Sequence, residues 1–265
     1  MDRRIEAIFF DIDGTLRDFE TGKIPDSAKE ALAMARREGI KLFVATGRHH
    51  LEMDEENLLE GIRFDGYVTL NGQYCYGEKD LIYSHSFEKA VVREMVEILG
   101  EFPFPCLFME EDRMYINMVD DLVRKAQAGI GTKVPPLGSA SQALNEPIYQ
   151  MVPYISEKKK RLIQGRLSGC QWVSWHDGRG YDVMPEGGSK WTGICKMAEH
   201  FGIPLSRTAA IGDGRNDVVM IRQAAVGIAM GNGKDEAKAA ADYVTASVRE
   251  DGLWKAIRYL IDLYV

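Results

Sequence analysis

Three short apolar runs in this chain each break off into a cluster of polar residues. Ile8-Phe9-Phe10 stops at Asp11-Ile12-Asp13-Gly14-Thr15, Phe43-Val44-Ala45 at Thr46-Gly47-Arg48, and Ala209-Ala210-Ile211 at Gly212-Asp213-Gly214-Arg215-Asn216-Asp217. Short apolar runs alternating with helix-like stretches are the pattern of parallel strands joined by helical crossovers. In an open sheet of that kind the ligand crevice lies outside the carboxyl ends of the strands, so clusters distant in sequence can converge there. The pattern constrains the fold to α/β and says where its chemistry should sit.

The first third of the chain reads β-α-β-α-β. Residues 5–10 form a strand. Pro25 and Ser27, with Glu30 placed as in a capping box, start a helix that Gly39 stops. A strand follows at 40–45, a helix over about 50–60, and a third strand at 67–70 that ends in the turn dipeptide Asn71-Gly72. From about 73 to 185 the texture changes to short aromatic strands (LIYSHSF, CLFME, RMYINMV, IYQMVPYI, CQWVSW) with helices near 88–100, 119–130 and 156–168, and a Pro-rich loop at 134–141. After Lys190 the first texture returns: a helix to about His200, the runs TAAIG and VGIAM with a helix from Asn216 between them, and an amphipathic stretch over 250–264. We expect a Rossmann-like doubly wound parallel-sheet core of residues 1–75 and 186–265, with an α+β domain of residues 76–185 inserted into it.

Four carboxylates, Asp11, Asp13, Asp213 and Asp217, gathered at one end of a sheet without a matching set of arginines call for a cation. Oxygen ligands suit a hard divalent ion such as Mg²⁺, which fills its octahedron with carbonyls, waters and substrate phosphate. A carboxylate can attack phosphorus, and a second one two residues along can protonate the leaving oxygen and then activate water. Asp11 and Asp13 have that spacing. The remaining charge on a phosphoryl group is met by donors of the kind Thr46, the Gly47 N–H and a lysine supply. Taken singly, Asp11 to Thr15 also reads as an Asp/Gly turn, and Gly212 to Asp217 as a helix-capping loop.

At these residues the chain resembles the haloacid dehalogenase-like hydrolases, and within them the Cof-type phosphatases with a large α+β cap. Asp11 to Thr15 is similar to the first motif, Thr46-Gly47-Arg48 to the second, Gly188-Ser189-Lys190 to the third and Gly212 to Asp217 to the fourth. The resemblance implies a Mg²⁺-dependent phosphatase working through an aspartyl-phosphate on small soluble phosphomonoesters, sugar phosphates or a phosphorylated cofactor. It implies Asp11 as nucleophile and Asp13 as general acid/base, Thr46, Gly47, Lys190 and Asn216 at the phosphate, and Mg²⁺ on Asp11, the Asp13 carbonyl and Asp213, with Asp217 supporting the metal shell or Lys190. Asn71, at the passage from core to cap, touches substrate or merely forms a turn. Trp191 departs from the small residue usual after the motif-three lysine. A phosphomutase on the same core and a non-catalytic regulatory protein are the alternatives, and the presence of Asp11, Asp13 and Asp213 speaks against the second.

With 33 Lys and Arg against 40 Asp and Glu, the formal net charge of −7 argues against nucleic acid or an anionic membrane as partner. The partner expected is a small phosphorylated metabolite, with a monomer sufficient to complete the site. Cys75, Cys106, Cys170 and Cys195 form no CxxC pair and read as scattered buried thiols. After Asp2, Arg3 and Arg4, the apolar stretch 5–10 is too short for a signal segment or membrane span, so a cytoplasmic protein is expected. Arg48 could bind an anion or be structural. His49-His50 reads as a surface helix start, Lys158 to Arg161 as a solvated helix face, and Tyr149, Tyr154, Trp172 and Trp175 as cap core or sheet face. His85, His176 and His200 show no partner in the sequence.

Overall fold

The computed structural model describes residues 4–78, 80–175 and 178–264; Asp2, Arg3 and His176 lie outside them. In chain order the elements are β1 (Ala7–Phe10), α1 (Asp26–Arg37), β2 (Lys41–Ala45), α2 (His50–Glu55), β3 (Gly66–Thr69), β4 (Tyr74–Tyr76), β5 (Leu81–Ser84), α3 (Lys89–Glu101), β6 (Cys106–Met109), β7 (Met114–Ile116), α4 (Asp121–Ile130), β8 (Gln150–Pro153), α5 (Glu157–Gln164), β9 (Cys170–Ser174) and β10 (Tyr181–Pro185). They continue with α6 (Lys190–His200), β11 (Thr208–Gly212), α7 (Val218–Gln223), β12 (Val226–Ala229), α8 (Asp235–Ala240), β13 (Tyr243–Val244) and α9 (Gly252–Tyr264). By packing the chain divides into two units, residues 1–83 with 189–265, and 84–188. Among the described residues no helix is long and apolar enough to cross a membrane.

The first unit is built on an eight-stranded sheet in the order β13-β12-β11-β1-β2-β3-β4-β5. From β13 to β3 the strands are parallel, and β4 runs antiparallel to β3. The run Ala7–Phe10 has no polar alternation because both its faces are covered, as parallel sheets require. Ile8 and Phe10 pack into one core with α1 and α9, whereas Ala7 and Phe9 pack into another with α6 and α7. From β1 the chain proceeds outward through β2 and β3, then returns on the other side through β11 and β12. That reversal beside β1 is the topological switch point, where ligands of doubly wound sheets bind.

The second unit carries a five-stranded antiparallel sheet, β7-β6-β8-β10-β9. Val92, Met95 and Ile98 of α3 and Ile163 of α5 cover Phe108, Met151 and Val183 on one face. Asp120 caps α4 through the Val123 N–H at 2.9 Å. Tyr149 and Tyr154 are buried and Trp172 and Trp175 half-buried in this unit.

Several local expectations are corrected. Helix α1 begins at Asp26, one residue before Ser27, so Ser27 lies within the first turn and no side chain caps the helix. Gly39 does end it: at φ +78° its N–H returns to the Arg36 carbonyl, and Ile40 returns to Ala35. The helix expected over 50–60 stops at Glu55, with Asn57 and Glu60 at positive φ breaking the remainder into turns. The segment LIYS belongs to the eight-stranded sheet as β5. Of the four thiols only Cys75 and Cys106 are buried; Cys170 and Cys195 are half-exposed. Lys159 and Lys160, expected in solvent, lie over the Phe104 and Tyr181 rings at 4.7 and 4.9 Å. His200 meets the Phe201 ring edge-on, and His85 also has a partner.

Candidate active site

The carboxyl ends of β1, β2, β3 and β11 bring the polar clusters together. Asp11 follows β1 directly and is 7% exposed, with its N–H bonded to the Ile211 carbonyl of β11. Asp11, Asp213 and Asp217 each present a carboxylate oxygen within 4.8 Å of the others. Lys190 opens α6 at 1% exposure and donates to Asp11 Oδ1 at 2.6 Å and Asp217 Oδ1 at 2.5 Å. The other oxygen of Asp217 accepts the N–H groups of Asp213 and Gly214, at 3.0 and 2.8 Å. Asp217 is thus tied to Lys190 through one oxygen and to its own loop through the other, and Asp11, Asp213 and Asp217 together present the oxygens that could hold a cation.

Lys190 reaches this position because the chain can pack tightly beneath it. Gly72 sits at φ +92°, and a Cβ there would fall 1.9 Å from the Ser189 carbonyl oxygen, so only glycine lets the turn after β3 abut the start of α6. Ser189 caps that helix through the Thr192 N–H at 3.1 Å. The turn after β2 is laced to the same region. The N–H groups of Leu70 and Asn71 donate to the carbonyls of Arg48 and Thr46, and Thr46 Oγ1 accepts the Arg48 N–H at 3.1 Å. Asn71 Oδ1 accepts from Asn216 Nδ2 at 3.0 Å, and a Cβ on Gly47 would come within 3.1 Å of the Asn71 amide. Asn71, at φ 54°, thus forms the turn and also joins the second and fourth clusters.

Electrostatics divide the aspartates. Burial pushes Asp11 up to about 7, with Asp217 and Asp13 adding to the rise and Lys190 opposing it. Burial likewise raises Asp213 to about 9, reinforced by Asp11 and Asp217. For Lys190 burial acts to strip the proton, but Asp11 and Asp217 outweigh it and hold the ammonium well above the usual lysine range. Asp13 is different. Burial would raise it, yet Arg48 and Arg17 pull its carboxyl below the ordinary value. One ammonium faces the buried Asp11 and Asp217 and the half-buried Asp213, so ionising all three would leave a surplus of negative charge, and an all-oxygen donor set of this kind fits a hard divalent cation.

Residues 8–257 match the model of a family described as haloacid dehalogenase-like hydrolase. The chain belongs to the haloacid dehalogenase-like hydrolases. Its relatives include YkrA of Bacillus subtilis, itself named only provisionally as a phosphatase, which is 32% identical over 257 residues covering 96% of this chain and 97% of that protein. The pyridoxal phosphate phosphatase YbhA of Escherichia coli is 28% identical over 265 residues, covering 93% of this chain and 95% of YbhA. Among solved structures, a sugar phosphatase of subclass IIB of the superfamily is 38% identical, with a TM-score of 0.85 over 96% of this chain and 98% of that one. The α/β fold and the family read from the four motifs are those of these proteins.

In this hydrolase the structure brings Asp11, Thr46, Gly47, Asn71, Lys190, Asp213, Asn216 and Asp217 into one neighbourhood at the strand ends, with the Asp13 carboxylate beside them paired to Arg48 and Arg17. The expectation that the aspartates lack arginine partners is corrected: Arg48 Nε donates to Asp13 Oδ2 at 2.7 Å, and Arg17 Nη1 to Asp13 Oδ1 at 3.3 Å. The surface start assigned to His49 is corrected as well. His49 is fully buried, accepts the Leu51 N–H on Nδ1 and forms a capping box with Glu52. Sequence reasoning missed Arg17, Glu52 and Asn232, whose amide donates to the Gly14 carbonyl at 2.8 Å. Arg17 stands four residues after Asp13 and Glu52 four after Arg48, but neither pair lies within one helix, so the spacing alone carried no signal. Trp191, the departure after Lys190, is half-buried against the core that holds Phe9 and Phe43.

Proposed function

We propose that this haloacid dehalogenase-like phosphatase hydrolyses small soluble phosphomonoesters in two steps on Asp11, with Mg²⁺ held by Asp11, Asp213 and the Asp13 carbonyl. The observation that carries the reading is the cluster of Asp11, Asp213 and Asp217 with Lys190 lodged in it at the switch point of the sheet. When bound, the cation offsets the charge of the carboxylates and of the substrate phosphate. In the first step an Asp11 oxygen bonds to phosphorus, the bond to the leaving oxygen breaks, and Asp13, which must be protonated at that point although Arg48 and Arg17 favour its ionised form, gives that oxygen the proton. In the second, Asp13 takes a proton from water, the water oxygen bonds to phosphorus, and the bond to Asp11 breaks to release phosphate. Lys190, Thr46, the Gly47 N–H and Asn216 hold the phosphoryl oxygens, and Asp217 fixes Lys190.

In this reading residues 76–185, as an inserted cap, select the leaving group, while the core handles the phosphate. The named activities of YbhA and of the subclass IIB structure support a panel weighted toward pyridoxal phosphate and sugar phosphates. The test is phosphate release from that panel, with nucleotides and p-nitrophenyl phosphate added, in Mg²⁺ and in chelator, for wild type and Asp11→Asn. Release that requires Mg²⁺ and vanishes in the folded variant supports the reading. Normal turnover by Asp11→Asn removes Asp11 from its role, and silence of folded wild type across the panel removes small phosphomonoesters as the substrate class.

A further inference from the structure

Asp13 is held by an arrangement that the two-step scheme does not use. Its carboxylate is absent from the group of three that come within 4.8 Å of one another, and each of its oxygens accepts from a different arginine. Arg48, 7% exposed, approaches Oδ2 from the turn after β2. Arg17 approaches Oδ1 and is anchored in turn by its Nε, which donates to the Gly22 carbonyl at 2.8 Å. Behind Arg48 stands Glu52, equally buried, with Oε1 3.7 Å from Arg48 Nη1 and Oε2 accepting the His49 N–H at 3.0 Å. The first turn of α2 is thus a bracket for one guanidinium.

Stability alone is a poor reason for such a bracket. The desolvation of a buried ion pair about cancels its Coulomb gain, and apolar residues fill the same space equally well. Orientation is a better reason. A guanidinium is planar, permanently charged and rigid, so a carboxylate caught between two of them has a fixed plane. A group that serves as acid in one step and base in the next must stay within hydrogen-bond reach of both the leaving oxygen and the incoming water.

Resting on the two-step reading, we propose that Arg48 is a positioning residue that sets the Asp13 carboxylate for proton transfer, with Glu52 holding Arg48 and Arg17 steadying the opposite oxygen. Arg48 acts through Asp13, to which its Nε donates, while its Nη1 lies 3.7 Å from Glu52 Oε1.

The test is a double-mutant cycle in the full chain with saturating Mg²⁺, measuring kcat and KM on p-nitrophenyl phosphate and on glycerol phosphate. Arg48→Gln should lower kcat roughly 100-fold, the cost of about 1 Å of misplacement, while KM stays within about threefold. The loss should be larger on glycerol phosphate, whose alkoxide needs the proton more than a nitrophenolate does. Arg48→Lys should recover part of it, and Glu52→Gln should show a smaller loss of the same kind. In an Asp13→Asn background, Arg48→Gln should cost nothing further. An equal loss in both backgrounds, a loss confined to KM, or unchanged kcat would each overturn the assignment. If Arg48→Gln does not fold, Arg48→Lys carries the same cycle, with a smaller loss of kcat that should again vanish in the Asp13→Asn background. A folded wild type without Mg²⁺-dependent turnover sinks the phosphatase reading itself, whereas an active wild type with an indifferent Arg48 sinks only this inference.

Discussion

Replacing Lys190 by Met keeps the length of the side chain and removes its charge. In the native protein that charge lies 2.6 Å from Asp11 Oδ1 and 2.5 Å from Asp217 Oδ1, at 1% exposure. Deleting one partner of a buried ion pair costs about 3–5 kcal/mol because the other charge is left uncompensated. Here two carboxylates lose the same cation. Asp217 keeps the Asp213 and Gly214 N–H donors, so Asp11 bears most of the deficit. With each kcal/mol worth about 2–4 °C in a unit of this size, the melting midpoint of the first unit should fall by roughly 6–20 °C. Calorimetry in chelator measures this directly. The same scan with Mg²⁺ adds a check, because a cation bound by Asp11 and Asp213 supplies charge where Lys190 did. Mg²⁺ should therefore raise the midpoint of Lys190→Met more than that of wild type. A variant that melts within about 2 °C of wild type in chelator, below the smallest shift expected, would show that Lys190 is not the counter-charge described here.

Gly72→Ala should destabilise the first unit by about 2–5 kcal/mol, from left-handed strain plus a clash with backbone, and should lower phosphate release by shifting Lys190. Gly39→Ala, at φ +78° but with open space around it, should cost only about 1–2 kcal/mol and leave activity intact; equal effects at the two positions would refute the packing argument. Burial pushes the Cys75 and Cys106 thiols far above their ordinary range and Cys170 up to about 11, so an aromatic disulfide reagent at pH 8 should spare Cys75 and Cys106 until denaturant is added. Rapid labelling of either in native protein would contradict this. Trp175 donates its ring N–H to Asp182 at 2.7 Å, so Trp175→Phe should cost about 1.5–3 kcal/mol in the second unit, read as a shift in that unit's urea transition alone.

What could be read in advance followed from short-range regularities. The run Ala7–Phe10 announces a strand buried on both faces, and Gly39 announces the end of α1, because each reports a local physical requirement. The residues around Asp11 were legible because a parallel sheet sends its strand ends to one side whatever lies between them. The bracket on Asp13 was not. Arg48 reads equally as anion ligand or helix-head arginine until Glu52 and Asp13 are seen on either side of it, and His49 looks like a surface residue until the capping box turns it inward. Helix α2 stopped short because Asn57 and Glu60 adopt left-handed backbone, which asparagine tolerates locally and which at Glu60 accompanies long-range bonds to the Ile24 N–H and Lys29. β5 joined the central sheet because strand pairing, unlike strand formation, is decided by neighbours far away in the chain.

The position of β1 between β2 and β11 also has a consequence for biosynthesis. Asp11 and Lys190 are 179 residues apart, and β11 leaves the ribosome later still. From the emergence of β1 to that of β11, roughly 200 residues or about 10–40 s of translation, a strand destined for the middle of the sheet has one hydrogen-bonding edge open. An open edge is a template for any other extended chain. All the strands of the antiparallel sheet are made within the same interval, so the nascent polypeptide holds a finished second unit attached to a half-built first one. Chaperone occupancy and aggregation during synthesis should therefore concentrate on residues 7–10, and should end when the segment beginning at Thr208 pairs with them.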